Sequence, residues 1–302
     1  MRKLVIKAKP PYSLDLSMKA TQPSAPTTYT DGTLTRALRL QSGRLVPIQV
    51  RQIGGLEDPK VEVKILADVD GSEEREILGM LDRFLCLTDD MNPVYEIMDG
   101  DPTLRWIGER LRGVRPWTSL NAYEGLICGV LFQQISLNAA FSIIRTLVQG
   151  LGDSIRLGGV TYYDFPTPER LAEASVEELR ALHLSRNKAL YVKGIARRIV
   201  DGFNPEALGE MPLEDAVKTL TSMRGVGVWT AEIVLATGLK RWEVIPADDL
   251  GIRRAVSKFY LGGRDASRRD VTRLAESWGD YKWPIAYYLL VASERLERLS
   301  AA

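Results

Sequence analysis

The chain predicts an α+β protein, with an N-terminal antiparallel sheet and helices followed by a domain that is helical almost throughout. Three observations carry that expectation. Apolar and polar residues alternate from residue 2 to about 70, helical spacing prevails beyond about Pro116, and a glycine-rich turn near Gly225 joins two helical segments. The expected division is 1–115 for the α+β domain and 116–302 for the all-α domain.

In chain order, Leu4, Ile6 and Ala8 alternate with Lys3, Val5, Lys7 and Lys9. Val46, Ile48 and Val50 alternate with Pro47, Gln49 and Arg51, and Val61, Val63 and Ile65 with Glu62 and Lys64. This two-residue period describes half-buried strands, and Gln41-Ser42-Gly43-Arg44 reads as a hairpin turn. An amphipathic helix is expected after Ser72, with Ile77, Leu78, Leu81, Phe84 and Leu85 on one face. Later helix starts are marked by Asn121 with Glu124, by Thr167 before Pro168, and by Ser175 with Glu178. Gly150, Gly152, Gly158 and Gly159 mark one loop, and Gly262 and Gly263 another.

Between 216 and 240 the pattern is more specific. Ala216, Val217, Leu220 and Met223 recur at helical spacing, Arg224-Gly225-Val226-Gly227 breaks it, and Trp229, Ala231, Ile233, Val234 and Leu235 resume it. Gly225 and Gly227 permit backbone conformations closed to other residues and leave main-chain N–H groups uncovered at the start of the second helix. Such groups suit a phosphate oxygen, although the same residues also describe an ordinary helix–helix corner. One helix and a loop containing Pro246 separate the turn from Asp248 and Asp249. That spacing allows one carboxylate to return to the turn's end of the helix. An aspartate before Leu250, Ile252 and Val256 is equally a helix N-cap, and both readings can hold together.

The 302 residues are 45% hydrophobic, ample for a core, and carry a net charge of only +1. That charge falls short of the strongly basic footprint of many nucleic-acid binders, though local basic clusters remain at Arg186 and Lys188, at Arg253 and Arg254, and at Arg268 and Arg269. Cys86 and Cys128 stand alone and His183 is the only histidine, which argues against a zinc site, an iron–sulfur cluster and a catalytic triad; no metal ligands are expected. MRKLVIKAK has no apolar run of signal-peptide length, and an intracellular protein is expected.

The order of helix, GVG hairpin, WTA-containing helix, proline loop and aspartate resembles the helix-hairpin-helix DNA glycosylase superfamily. Within it, the resemblance is to the alkylbase branch, the 3-methyladenine DNA glycosylase II proteins. It rests on GVGVWTA and PADDLGIRR together, on RPWTSLNAYEGLICGVLFQQIS from Arg115, on LSRNKALYVKGIARRI from Leu184 and on the opening KAKPPYSLDL, and so covers nearly the whole chain.

The resemblance implies a monofunctional glycosylase that flips alkylated purines such as 3-methyladenine out of double-stranded DNA and hydrolyses the bond to the sugar. It places Asp249 at the catalytic aspartate, with Asp248 as the alternative. Trp229 stands where bifunctional members carry a nucleophilic lysine, so no lyase step is expected; it would form a wall of the base pocket, while the bare residue reads as a core aromatic. Tyr123, Phe132, Tyr287 and Tyr288 are further candidates for that pocket, with Trp283 beside them, although core burial suits each. Gln134 matches the wedge that fills the gap left by the flipped base, and is otherwise a polar helix end. Gly225, Val226, Gly227, Arg186, Lys188 and Arg253 complete the expected DNA contacts. No cofactor is required; the resemblance allows a monovalent cation on the hairpin carbonyls, and one pocket for one base needs only a monomer. Val291, Ala292 and Ser293 depart from the aromatics of close relatives and imply a wider or differently shaped pocket. A glycosylase for deaminated or oxidised bases, and a non-catalytic DNA-binding module, are the alternatives. A carboxylate facing phosphate argues against the module.

Overall fold

The computed structural model describes residues 2–23, 25–296 and 299. Strand β1 (Arg2–Lys7) is followed by helix α1 (Leu14–Thr21), then by β2 (Thr28–Thr30), β3 (Thr33–Arg39), β4 (Leu45–Gln52) and β5 (Lys60–Ile65). These form one antiparallel sheet in the order β1-β5-β4-β3-β2. Cross-strand pairs such as Ile48 with Ile65 and Val50 with Val63 bury the apolar positions that the alternation picks out. Gly43, at φ +82°, closes the turn between β3 and β4. Helix α1 departs from the expected run of strands. Ser13 caps it, and Leu14, Met18 and Ala20 turn inward.

Helix α2 (Gly71–Leu85) covers the sheet with Ile77, Leu81 and Leu85. It begins just before the expected start because Asp70 supplies the cap, its carboxylate accepting from Ser72 and Glu73 N–H at 2.7 and 2.9 Å. Helices α3 (Asn92–Asp99) and α4 (Pro102–Arg110) follow. Although they precede the expected boundary after 115, their Val94, Met98, Leu104 and Ile107 belong to the core of the helical half.

That half contains α5 (Ala122–Phe132), α6 (Leu137–Leu151), α7 (Pro168–Glu173), α8 (Val176–Ala181), α9 (Arg186–Val200) and α10 (Leu213–Thr221). Helix α11 (Val228–Ile233) runs on through a π-type turn (Val234–Gly238), and α12 (Leu250–Tyr260), α13 (Arg268–Ala275) and α14 (Lys282–Glu294) complete it. Asn121, Thr167 and Ser175 cap α5, α7 and α8 as their sequence positions predict. Helices α5 and α14 are apolar almost all round and lie in the middle of the domain. The expected glycine loop differs: β6 (Ser154–Leu157) and β7 (Val160–Tyr163) pair across Gly158 and Gly159, both at positive φ. This hairpin docks on the N-terminal sheet, where Gln49 Nε2 donates to Tyr162 Oη at 2.8 Å.

Charged contacts join the two halves. Arg36 on β3, 1% exposed, donates to both carboxylate oxygens of Glu124 on α5, at 3.2 and 2.5 Å. Arg83 on α2 donates to Gly238 O at the end of the π-type turn, and Lys240 pairs with Asp89. Among the described residues, no helix is long and apolar enough to cross a membrane.

Candidate active site

Helices α10 and α11 meet through a tight turn closed by Val226 N–H donating to Met223 O at 3.0 Å. Two constraints demand glycine at 225. Its φ is +89°, and a Cβ there would lie 2.2 Å from the ring of Tyr191 on α9. Gly227 is the N-cap of α11 and brings no side chain, so the first N–H groups of the helix lie bare beside exposed Val228. Bare amides and the helix dipole together favour an anion there.

Asp249 caps α12. Its Oδ1 accepts from Gly251 and Ile252 N–H at 2.9 and 3.0 Å, and its Oδ2 accepts from Trp229 Nε1 at 3.0 Å. The carboxylate is therefore fixed by two helices at once, half-buried at the wall of a cleft of about 1230 Å³. Asp248 is exposed and differently held: its Oδ2 accepts from Arg268 Nη1 at 2.6 Å. Arg268 also donates to Glu232 on α11 at 2.6 Å, and its guanidinium is held above its ordinary value first by that bond. Burial raises the Glu232 carboxyl, with Arg268 opposing the shift.

The cleft runs from the hairpin to α14, and Trp229, Phe132 and Tyr287 line it. Trp117, Phe141 and Trp283 add to its aromatic wall, Phe132 standing edge-on to Trp117 and Phe141 at 5.7 and 5.8 Å between ring centres. Tyr287 is held through its hydroxyl, 3.1 Å from Thr21 Oγ1, and burial raises its phenol. Val291 lines the cleft as well.

Two tyrosines are corrected. Tyr123 turns its hydroxyl to Pro166 O at 2.7 Å and its ring to Phe165, away from the cleft. Tyr288 is fully buried, with its hydroxyl on Val114 O and Tyr95 Oη, both at 2.8 Å. Both follow from the burial of helices on all sides, which sends neighbouring aromatics in opposite directions.

The expected DNA contacts also divide. Gln134 is exposed at the cleft rim with φ +58°, in the turn between α5 and α6, beside exposed Ile135 and Leu137. Arg186 is exposed at the first residue of α9. Lys188 instead donates to Leu131 O at 2.7 Å, where partial burial lowers its ammonium, so it caps the end of α5. Arg253 turns inward to Ala266 O at 2.5 Å, and its neighbour Arg254 is the exposed one that reaches the cleft. Tyr191 and Gln133 join the site without having been singled out: a tyrosine on an amphipathic helix carries no local signal, while Gln133 shares the polar helix end that marks Gln134. Among the described residues no group of three or more His, Cys, Asp or Glu gathers to hold a metal ion. A cation at the hairpin would rest on main-chain carbonyls, of which Gly225 O is already taken by Gln133 Nε2 at 2.8 Å.

The fold and the cleft define a helix-hairpin-helix protein with a carboxylate fixed beside the hairpin. Comparison with known proteins agrees. Residues 127–280 match the model of the HhH-GPD superfamily base excision DNA repair proteins. A DNA-3-methyladenine glycosylase of Bacillus subtilis is 30% identical over 79% of this chain and 80% of its own. The solved 3-methyladenine DNA-glycosylase of Archaeoglobus fulgidus superposes with a TM-score of 0.88 at 33% identity, covering 97% of this chain and 99% of its own. An 8-oxoguanine glycosylase/lyase of Clostridium acetobutylicum, at 17% identity and a TM-score of 0.74 over 96% and 97% of the two chains, shares the fold. The chain belongs to the HhH-GPD superfamily of base excision DNA repair proteins.

Proposed function

We propose that the protein is a monofunctional DNA glycosylase that flips alkylated purines such as 3-methyladenine out of duplex DNA and removes them by hydrolysis. The observation that carries this reading is the carboxylate of Asp249, fixed by two backbone amides and the Trp229 indole at the wall of an aromatic cleft. The B. subtilis and A. fulgidus relatives, both named as 3-methyladenine glycosylases, support the substrate class.

An alkylated purine is cationic and already a good leaving group. Stacking on Trp229 favours that charge by cation–π attraction. As the bond from C1′ to the base lengthens, positive charge develops on the sugar, and the fixed Asp249 carboxylate stabilises it. Water adds to C1′ on the opposite face, the bonding pair leaves with the base, and the water's second proton passes to solvent or to Asp249. No second carboxylate is required, because the leaving group needs no protonation. Trp229 stands where a lyase would need an amine, and none of the described residues lining the cleft is a lysine, which supports hydrolysis without strand cleavage.

The hairpin amides and Arg254 suit phosphates on either side of the flipped nucleotide, Gln134 suits the vacated stack, and a cleft that takes one base needs only a monomer. Release of 3-methyladenine from a methylated duplex tests the reading. Wild type and Asp248→Asn are expected to release the base, and Asp249→Asn is expected to lose about 10²–10³-fold in rate. Strand breaks should appear only after alkali; breaks before alkali would refute the monofunctional mechanism, and full activity in Asp249→Asn would refute the site.

A further inference from the structure

Two separate elements meet DNA in the proposed reading: the hairpin, and the turn after α5 that carries Gln134. Gln133 joins them. Its Nε2 donates to Gly225 O at 2.8 Å and to Thr230 Oγ1 at 2.7 Å, using both amide hydrogens on the hairpin and its second helix.

Helix α9 is the common base. Lys188 donates to Leu131 O, the last turn of α5, and one turn further along, the Tyr191 ring lies so close to Gly225 that no Cβ would fit. The wedge turn, the hairpin and α9 therefore form a triangle of contacts, and Gln133 is its third side. Gln134, next to it, holds φ +58° without glycine, a conformation that persists only where the surroundings impose it. Gln134 itself makes no side-chain hydrogen bond among the described residues. Its neighbour supplies the fixed point.

We infer that Gln133 is a positioning residue that couples docking of the hairpin on the DNA backbone to insertion of Gln134 into the base stack. A phosphate drawn to the hairpin amides carries the wedge turn with it, because Gly225 and Gln133 move as one. The inference rests on the reading of Gln134 as the wedge.

The test is single-turnover excision of one alkylated adenine, placed either in a duplex or in a single strand, where no paired stack has to be opened. Wild type, Gln133→Ala, the length-preserving Gln133→Met, Gln134→Ala and the Gln133→Ala/Gln134→Ala pair are compared. Both Gln133 variants are expected to slow duplex excision by roughly tenfold or more, as small misplacements do, and to slow single-strand excision far less. The double variant is expected to be no slower than Gln134→Ala alone, because Gln133 acts through Gln134. Equal slowing on both substrates, or additive losses in the double variant, would overturn the coupling. A duplex rate lost in Gln134→Ala but kept in both Gln133 variants would overturn the coupling and spare the wedge. A wild-type duplex rate in Gln134→Ala would overturn both. No release of the base by the wild type from either substrate would overturn the glycosylase reading itself.

Discussion

Trp229 Nε1 donates to Asp249 Oδ2 at 3.0 Å, joining the first turn of α11 to the cap of α12. The indole thus helps to fix the carboxylate on which the proposed mechanism rests. Trp229→Phe keeps an aromatic wall and removes the bond. Excision is expected to slow by about tenfold, equivalent to ~1.4 kcal/mol of barrier, with lesion-duplex affinity changed far less. Single-turnover rates beside equilibrium binding check this; a wild-type rate would show that the two backbone amides alone suffice to hold Asp249.

Gly225 is constrained twice, by its φ of +89° and by the Tyr191 ring. Gly225→Ala is expected to cost about 1–3 kcal/mol of stability and to weaken binding to undamaged duplex. Adding Tyr191→Ala relieves the clash but not the backbone strain, so only part of the loss should return. Urea unfolding and fluorescence anisotropy would decide it, and a full return would place the whole cost on the ring.

Arg36 and Glu124 form a buried pair between sheet and helical domain. Arg36→Met leaves the Glu124 carboxylate buried without its cation, and is expected to cost about 3–5 kcal/mol. Arg36→Met/Glu124→Leu removes both charges and should recover most of that loss. Chemical denaturation of the three proteins is the check; a double variant as unstable as the single one would mean that packing, not charge, dominates.

Glu232 sets a pH dependence. Burial, opposed by Arg268, holds its carboxyl above the ordinary 4.5. The folded protein thus binds this proton more tightly than the unfolded chain, so the contribution to stability is full below 4.5 and is lost as pH rises through the folded value. Glu232→Gln should therefore gain stability relative to the wild type between about pH 4 and neutrality. Unfolding free energies at both ends of that range test the sign. A variant that loses ground as pH rises would mean that pairing with Arg268 outweighs burial.

Periodic features were legible along the chain. The strands holding Val46 to Val50 and Val61 to Ile65, the caps at Asn121, Thr167 and Ser175, and the break at Gly225 each follow from local propensity and burial period. Helix α1 and the pair β6 and β7 were not, because short elements are stabilised by what they dock against. The Gln49 to Tyr162 bond that seats β6 and β7 on the sheet joins residues far apart in sequence.

The sequence by itself determined the order of glycine hairpin, tryptophan, Pro246 loop and aspartate pair, and the one helix and one loop between them allow a carboxylate to return to the hairpin. Both aspartates line the cleft, and what holds each of them was a tertiary matter. Asp249 is turned by Trp229 and by the amides of α12, while Arg268, from α13, holds Asp248 with Glu232. The same holds for the aromatics: Phe132 and Tyr287 face the cleft, Tyr288 is buried behind it and Tyr123 turns to Pro166 O. In helices covered on every side, sequence period no longer distinguishes one face from another. Only the partners that come from elsewhere in the chain decide where each side chain points.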